Sequence, residues 1–530
     1  MTTPVIDGSH PAAPRDAHVS RRRWRWVRRP FALTITLIAA FFVALTAGAV
    51  FLPLATGPDE PGHYVHAAAV VRGQAADLTP TVPAAIDNLH RFAGCLAFHP
   101  EVTAVCQGEQ TVEDPLALVV SDTAAGLYNP VFYAWTGIGS LLDQSESGLY
   151  YARVLAALVT ATIFGWAASY LVRTAQSRWA PISLFVVCAP LVLYIGSVLN
   201  PSAWEIAGAF AVVVSAWGIL AARHPRRAWS EAHALLAIAG AVMIVSRGLS
   251  PVLFALLVLM VVILAGWKRV AAALGRSSTW AVVGVVSLVG AASLLWVAVN
   301  GTNYVGIERP ATLLDGIRAI PVFYADTFGQ LSMMYGNLGW LDVPPPQPLV
   351  IMWVVAVGAF SFVGFASSQA SGRLAIGLAA AVCVLLPGVV AGIQWSGLDW
   401  QGRYTFPLVA GLLAVSAVSV DEVFARDREV PAEIGRRLEL VGTWAAVAVT
   451  AIGYVWMLVL VAKRYLMGYG ASLFSPPTWL PPVPPVVLGV LSVGGFAIFA
   501  AIVLLSVWRG RADIGVVDRH EGAPVEPTTA

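Results

Sequence analysis

Charge is scarce in this chain. Of its 530 residues only 12% are Asp, Glu, Lys or Arg, against about 25% in a soluble domain. That scarcity excludes an ordinary water-soluble fold, as do 58% hydrophobic residues and a mean hydropathy of +0.74. Cysteine is scarce too: four residues exclude a disulfide-dense secreted scaffold. There is no P-loop, so ATP-driven transport finds no support within the chain. No hydrophilic stretch is long enough to build a core of its own, and no soluble-domain repeat appears. The net charge of +2 excludes little, because the charges are distributed loop by loop, and no nucleic-acid partner is expected.

What the chain does have is a series of apolar runs that approach the roughly 20 residues needed to cross a bilayer. They fall at 31–54, 149–173, 179–199, 203–222, 232–247, 251–267, 279–299, 348–367, 373–393, 403–420, 441–461 and 484–508. The pattern predicts an all-α polytopic membrane protein with about twelve transmembrane helices. Residues 1–20 are polar, and Arg21-Arg22-Arg23-Trp24-Arg25 and Arg28-Arg29 precede a run too long for a signal-peptide core. The first run is therefore expected to be a retained helix with its basic flank in the cytoplasm. The loops at Arg173–Arg178, Arg223–Arg227, Lys268–Arg276 and Arg436-Arg437 are basic, while the opposite turns at 200–202 and 246–250 carry only Arg247. This asymmetry predicts a multi-pass protein of the cell membrane with both termini cytoplasmic. At the 199/203 and 247/251 junctions the reading stays open between two helices and one bent or re-entrant segment.

The expected organisation is a cytoplasmic basic tail over 1–30, a transmembrane domain over 31–508 and a disordered cytoplasmic tail over 509–530. Within the domain, a large first extracytoplasmic loop spans 55–148, a second outer segment 300–347, and a short outer loop 394–402. The first loop holds Cys95 and Cys106, the two cysteines outside the apolar runs, which are expected to pair in an oxidising exterior. Cys188 and Cys383 lie in apolar runs and read as core filler. Leu127 to Trp135, rich in aromatics around Pro130, suits an interfacial helix. The proline-rich stretch 463–483 either covers a site or connects helices.

Candidate chemistry concentrates in the outer segments. Gly57-Pro58-Asp59-Glu60-Pro61-Gly62-His63-Tyr64 places two carboxylates and an imidazole where the chain leaves the first run. Its Pro and Gly residues keep it from being an ordinary helix interior. A carboxylate at this boundary suits a general base for an acceptor hydroxyl. Asp59, Glu60 and His63 could alternatively hold a divalent metal ion, or the acids could be a solvated pair at a helix end. Glu60 and His63 share a face if a helical turn forms. Arg153, Arg247, Arg309 and Arg403 sit beside apolar runs, where an unpaired charge is costly. Arg403, in Gln401-Gly402-Arg403-Tyr404, suits a bidentate contact to phosphate, with snorkelling or pairing to an acid such as Asp399 as the alternative. Asn200, before Pro201, suits a helix cap. Trp340 with Asp342, and Trp395 with Asp399 and Trp400, combine flat rings and acceptors that suit a sugar.

These motifs together resemble an integral-membrane family catalogued as domain of unknown function 2142. The matching residues are Pro58-Asp59-Glu60-x-x-His63, Asn200-Pro201, Gly339-Trp340-Leu341-Asp342 and Gln401-Gly402-Arg403-Tyr404-x-x-Pro407, spread over roughly 30–460. That family looks like the GT-C class of membrane glycosyltransferases. The resemblance implies an enzyme that moves a hexose or pentose from a polyprenyl-phosphate donor to a cell-envelope glycan or protein acceptor at the outer face, with inversion at the anomeric carbon. It implies Asp59 as base with Glu60 second and Arg403 on the donor phosphate. His63, Asp342 and Gln401 would position sugar or acceptor, with Arg247, Trp340 and Tyr404 beside them in the site. No cofactor follows with certainty, a divalent metal ion being the candidate. One departure is Ser202, where the family's Asn-Pro is often followed by Asp. The competing readings are a transporter or flippase of a lipid-linked glycan, and a non-catalytic assembly or sensor protein. Polar motifs confined to one face, without two related halves, favour the enzyme.

Overall fold

The structure, a computed structural model, describes residues 30–222, 229–300, 312–394, 400–426 and 432–509. The basic tail, the Arg223–Arg227 loop, Arg309, Trp395, Asp399 and the polar C-terminal tail lie outside the described residues, as do the side chains of Arg436 and Arg437. Each of the twelve apolar runs contains a helix. Among the described residues nine helices are individually long and apolar enough to cross a membrane, and eleven spans result if each of two bent pairs counts as one. Glu231–Ile244 is a shorter apolar helix.

The bends differ from expectation. The 179–199 run is broken into Trp179–Val187 and Pro190–Ser197, which meet at 58°. Pro190 opens the second piece, where its missing N–H and fixed φ are tolerated at a helix start but not inside one. Ser250–Ala265 turns by 112° into Trp267–Leu274 at Gly266, whose φ of 74° a side chain would strain. The 199/203 junction is a cap. Asn200 Oδ1 accepts from Ser202 N at 3.0 Å, as expected of Asn before a helix.

Two spans form the centre. Ser202–Leu220 is 89% buried and Gly402–Val423 is 83% buried. Both are mostly apolar all round, as a helix enclosed by others should be, with Glu205 near the start of the first and Arg403, Asp421 and Glu422 near the ends of the second. Around them Pro30–Phe51 packs on Gly148–Thr174 and Pro485–Arg509 through Phe41, Phe164 and Phe499. At one end of the bundle charged pairs tie the connections together: Arg173 with Glu231, Arg269 with Glu422, and Asp421 accepting from Gln176 N and Ser177 N. Residues 55–148 and 312–347 gather at the other end.

Residues 55–148 fold as a cap. Helix Glu60–Val70 packs against helix Pro130–Thr136, and Thr81–Pro83 pairs antiparallel with Leu118–Val120. Pro130–Thr136 is a helix within the 127–135 stretch. Its Phe132 and Tyr133 are fully buried against the neighbouring helix and Trp204, while Trp135 and Val131 are exposed. Cys95 and Cys106 form a disulfide, and Cys188 is buried in the main core. The second outer segment folds into Leu313–Ala325 and Thr327–Tyr335, then a tight loop in which Leu338 and Val343 bridge.

Candidate functional site

The octet after the first span is not extended, and of its two acids only Asp59 meets solvent. Asp59 is the N-cap of Glu60–Val70 in a left-handed backbone conformation, φ 60°. That turn sends Asp59 and Glu60 to different partners. Glu60 is fully buried, with Arg153 Nε and Nη2 donating to its two oxygens at 2.7 Å each. Leu199 N and Gly57 N donate to the same two oxygens. Arg153 spends its other N–H groups on the carbonyls of Ala49, Leu52 and Pro53. With every oxygen occupied and no access, Glu60 is a clasp between the first helix, the octet and Gly148–Thr174. The expectation of Glu60 as a second base is corrected on that ground.

The three candidate metal ligands are turned to different partners. His63 does follow Glu60 on one helix, but its Nδ1 hydrogen-bonds Tyr133 Oη at 2.9 Å while Glu60 turns to Arg153. Asp59 turns to Arg403. An ion shared by the three would have to displace the Glu60 clasp. Among the described residues no three His, Cys, Asp or Glu side chains are grouped to hold a metal.

Asp59 and Arg403, 344 residues apart, are in contact: Arg403 Nη2 donates to Asp59 Oδ2 at 2.5 Å. The Arg403 side chain is 3% exposed and that of Asp59 54%. Arg403 stands at the start of the helix Gly402–Arg426, which positions it. Burial would raise the Asp59 carboxyl, but the charge and hydrogen bond of Arg403, aided by Arg247, hold it below the usual aspartate value. Burial likewise drives His63 down to about 3, so its imidazole is neutral.

Tyr404 joins the two arginines. Arg403 Nη2 also donates to Tyr404 Oη at 2.9 Å, and Arg247 lies over the Tyr404 ring at 4.4 Å. Arg247 donates to Ser202 Oγ and Tyr128 Oη. Ser202, the departure from the family motif, is therefore an acceptor for a site arginine. Asn200 reaches back from the same turn, its Nδ2 donating to Pro58 O.

Beside this cluster lies a small cleft lined by Pro58, Tyr194, Asn337, Leu341, Gln401 and Arg403, among others. Several buried polar atoms around it have no hydrogen-bond partner: Arg403 Nε and Nη1, Gln401 Oε1 and Asn337 Oδ1. Such atoms are costly unless a ligand or water meets them. A second cleft shares Tyr194 but is mostly apolar, lined by Phe51, Leu52, Leu193, Met457 and Val461 among others.

Trp340 and Asp342, expected beside a sugar, both make contacts within the protein. Trp340 Nε1 donates to Ala55 O at 2.9 Å, and Asp342 is 4% exposed and paired with fully buried Arg464. Arg464 also donates to the carbonyls of Leu96 and Val102, inside the loop that the disulfide closes. These side chains fasten the second outer segment to the first, and 463–483 takes part through them rather than as a free connection. The sequence reading missed Arg464, Asn337, Tyr128 and Glu205. Glu205 is buried, accepts from Ser250 Oγ and lies next to Arg247 in charge. It is the one acid within the 203–222 run, a signal that could have found it.

Residues 41–412 match the family described as "Predicted membrane protein (DUF2142)". The chain belongs to that family. No curated protein sequence matches this DUF2142 member. Its structure is similar to that of ArnT from Cupriavidus metallidurans bound to undecaprenyl phosphate, with 14% identity, TM-score 0.40, and 93% of this chain and 81% of that one covered. It is also similar to the apo oligosaccharyltransferase of Archaeoglobus fulgidus, with 14% identity, TM-score 0.40 and coverage of 84% and 57%. A third is the oligosaccharyltransferase AglB of the same archaeon with an inhibitory peptide and a dolichol-phosphate, at 12% identity, TM-score 0.37 and coverage of 85% and 61%.

Proposed function

We propose that this DUF2142 protein is a membrane glycosyltransferase that moves a sugar from a polyprenyl-phosphate donor to a hydroxyl of a cell-envelope glycan or protein. Transfer takes place at the outer face of the cell membrane, both termini being cytoplasmic. The observation that carries the reading is the Asp59–Arg403 contact beside a cleft lined with unpartnered polar atoms. Asp59 is an accessible carboxylate able to accept the acceptor's proton. Arg403 is a buried guanidinium that stabilises charge developing on the leaving phosphate. Gln401 and Asn337 supply acceptors for sugar hydroxyls, and neutral His63 stands behind Asp59. The adjoining apolar cleft suits an isoprenoid chain that stays at bilayer depth while its phosphate reaches Arg403.

One observation favours a second reading, a flippase of a lipid-linked glycan. The broken span Trp179–Val187/Pro190–Ser197 contributes to both clefts, and broken helices line transport sites. Purified protein in proteoliposomes decides between them. Sugar transfer from a lipid donor to a soluble acceptor, lost in Asp59→Asn, supports the transferase. Movement of unmodified lipid across the bilayer without transfer supports the flippase.

A further inference from the structure

Arg403 has a geometry that bears on how its site is used. A guanidinium offers two forks to a phosphate or carboxylate: the side edge, Nε with Nη2, and the end, Nη1 with Nη2. Arg153 shows the first on Glu60. Both forks include Nη2. In Arg403 the two hydrogens of Nη2 are already taken, by Asp59 Oδ2 at 2.5 Å and by Tyr404 Oη at 2.9 Å. Nε and Nη1 are buried and unpartnered, and they lie on different edges, so they cannot grip one phosphate together. A two-pronged phosphate contact therefore requires Asp59 or Tyr404 to leave Nη2.

Asp59 is the one that can leave. The Tyr404 ring is held between Arg247 at 4.4 Å and Arg403 at 5.0 Å, with Trp400 at its edge. The Asp59 side chain is 54% exposed and its negative charge is repelled by an incoming phosphate. Arg403 itself is buried at the start of a packed helix, which opposes its following.

We infer that the donor's phosphate displaces Asp59 from Arg403, so that the catalytic carboxylate is ion-paired in the empty enzyme and freed from its arginine only when donor is bound. This rests on the transferase reading and adds an order to it: donor first, acceptor second. Once released, Asp59 has lost the cation that held its proton affinity down, and it becomes the stronger base. The acceptor O–H proton passes to Asp59, and the acceptor oxygen bonds to the anomeric carbon. The bond from that carbon to the phosphate oxygen breaks, its electron pair staying on the phosphate opposite Arg403. When the lipid phosphate departs, Arg403 recaptures Asp59 and its proton is expelled to solvent.

The test is the affinity of the full-length protein in nanodiscs for a polyprenyl monophosphate without sugar. Asp59→Asn removes the competitor, so it is expected to bind this lipid roughly tenfold or more tightly than wild type while losing transfer. Inorganic phosphate titrated in parallel separates the sources of binding. The same ratio for free phosphate assigns the effect to the headgroup at Arg403, whereas a gain confined to the lipid assigns it to the tail and overturns the inference. Equal or weaker lipid binding by Asp59→Asn overturns it as well. If Asp59→Asn does not fold, product inhibition of wild type serves. Polyprenyl phosphate competitive against donor but not against acceptor supports donor-first order, and a random-order pattern overturns it. Transfer without the affinity gain refutes the gate alone. The affinity gain without transfer in wild type refutes the transferase alone.

Discussion

At the scale of single residues, two adjacent acids carry different burdens. Asp59 is exposed at the side chain and touches one arginine, whereas Glu60 is enclosed by four donors. Asp59→Asn is expected to lower transfer by about 10²–10⁴-fold, the range for a general base, with the protein still present in the membrane at wild-type level. Quantitative blotting beside the transfer assay checks it; reduced protein would make Asp59 structural. His63 supplies a pH prediction. It is neutral in the fold down to about pH 3 because of burial, but protonates near 6.5 in the unfolded chain. Between those values the unfolded state binds the extra proton. Stability from this residue is therefore full above about 6.5 and falls as pH drops toward 3. His63→Gln is expected to flatten that part of a melting-temperature-against-pH curve, relative to wild type; an unchanged slope would remove His63 as its source.

At the scale of elements, buried arginines fasten the cap to the bundle. Glu60→Gln leaves Arg153 charged and unpaired in a site with no solvent access, a defect worth about 3–5 kcal/mol. The expected result is a strong fall in folded protein, measured by size-exclusion fluorescence, with partial recovery in Glu60→Gln/Arg153→Met. Full recovery of protein without activity in Glu60→Gln alone would return Glu60 to the mechanism. The second fastening is Arg464, between Asp342 and the disulfide loop. A disulfide closing a loop this short contributes roughly 3 kcal/mol. Reduction, or Cys95→Ser with Cys106→Ser, is expected to lower the melting temperature and to loosen the 96–102 segment most, read by hydrogen exchange. Uniform exchange across the cap would show that the bridge does not serve Arg464. The sequence showed that these segments lay outside the apolar runs. It did not show that Asp342 would meet Arg464, because a membrane-edge acid and arginine have the same composition whether they bind a substrate or each other.

At the scale of the whole molecule, the basic loops define a side. Asp114→Cys, in the first outer loop, is expected to react with a membrane-impermeant maleimide added to intact cells, and Thr174→Cys at the opposite end is not. Labelling in the reverse pattern would invert the topology and place the candidate site in the cytoplasm. The all-α, multi-pass architecture was legible because twenty apolar residues in water have no alternative to burial, and each run contains a helix. The breaks were less legible. Asn200-Pro201 and Ala189-Pro190 both interrupt an apolar stretch, yet the first makes a cap between spans and the second a bend within one, and only neighbouring packing distinguishes them.

By itself the sequence determined the membrane class, the helical runs, the family and the short list of polar residues from which a site had to be drawn. Those follow from local facts: the hydropathy of a run, the cost of a charge beside it, and motifs read along the chain. Only the tertiary structure decided which member of each pair does what. It set Asp59 on Arg403 and Glu60 on Arg153 by one left-handed turn, put Tyr404 between two arginines, and spent Asp342 on Arg464. A carboxylate's role is set by the charges and solvent around it, and those are contributed by residues hundreds of positions away.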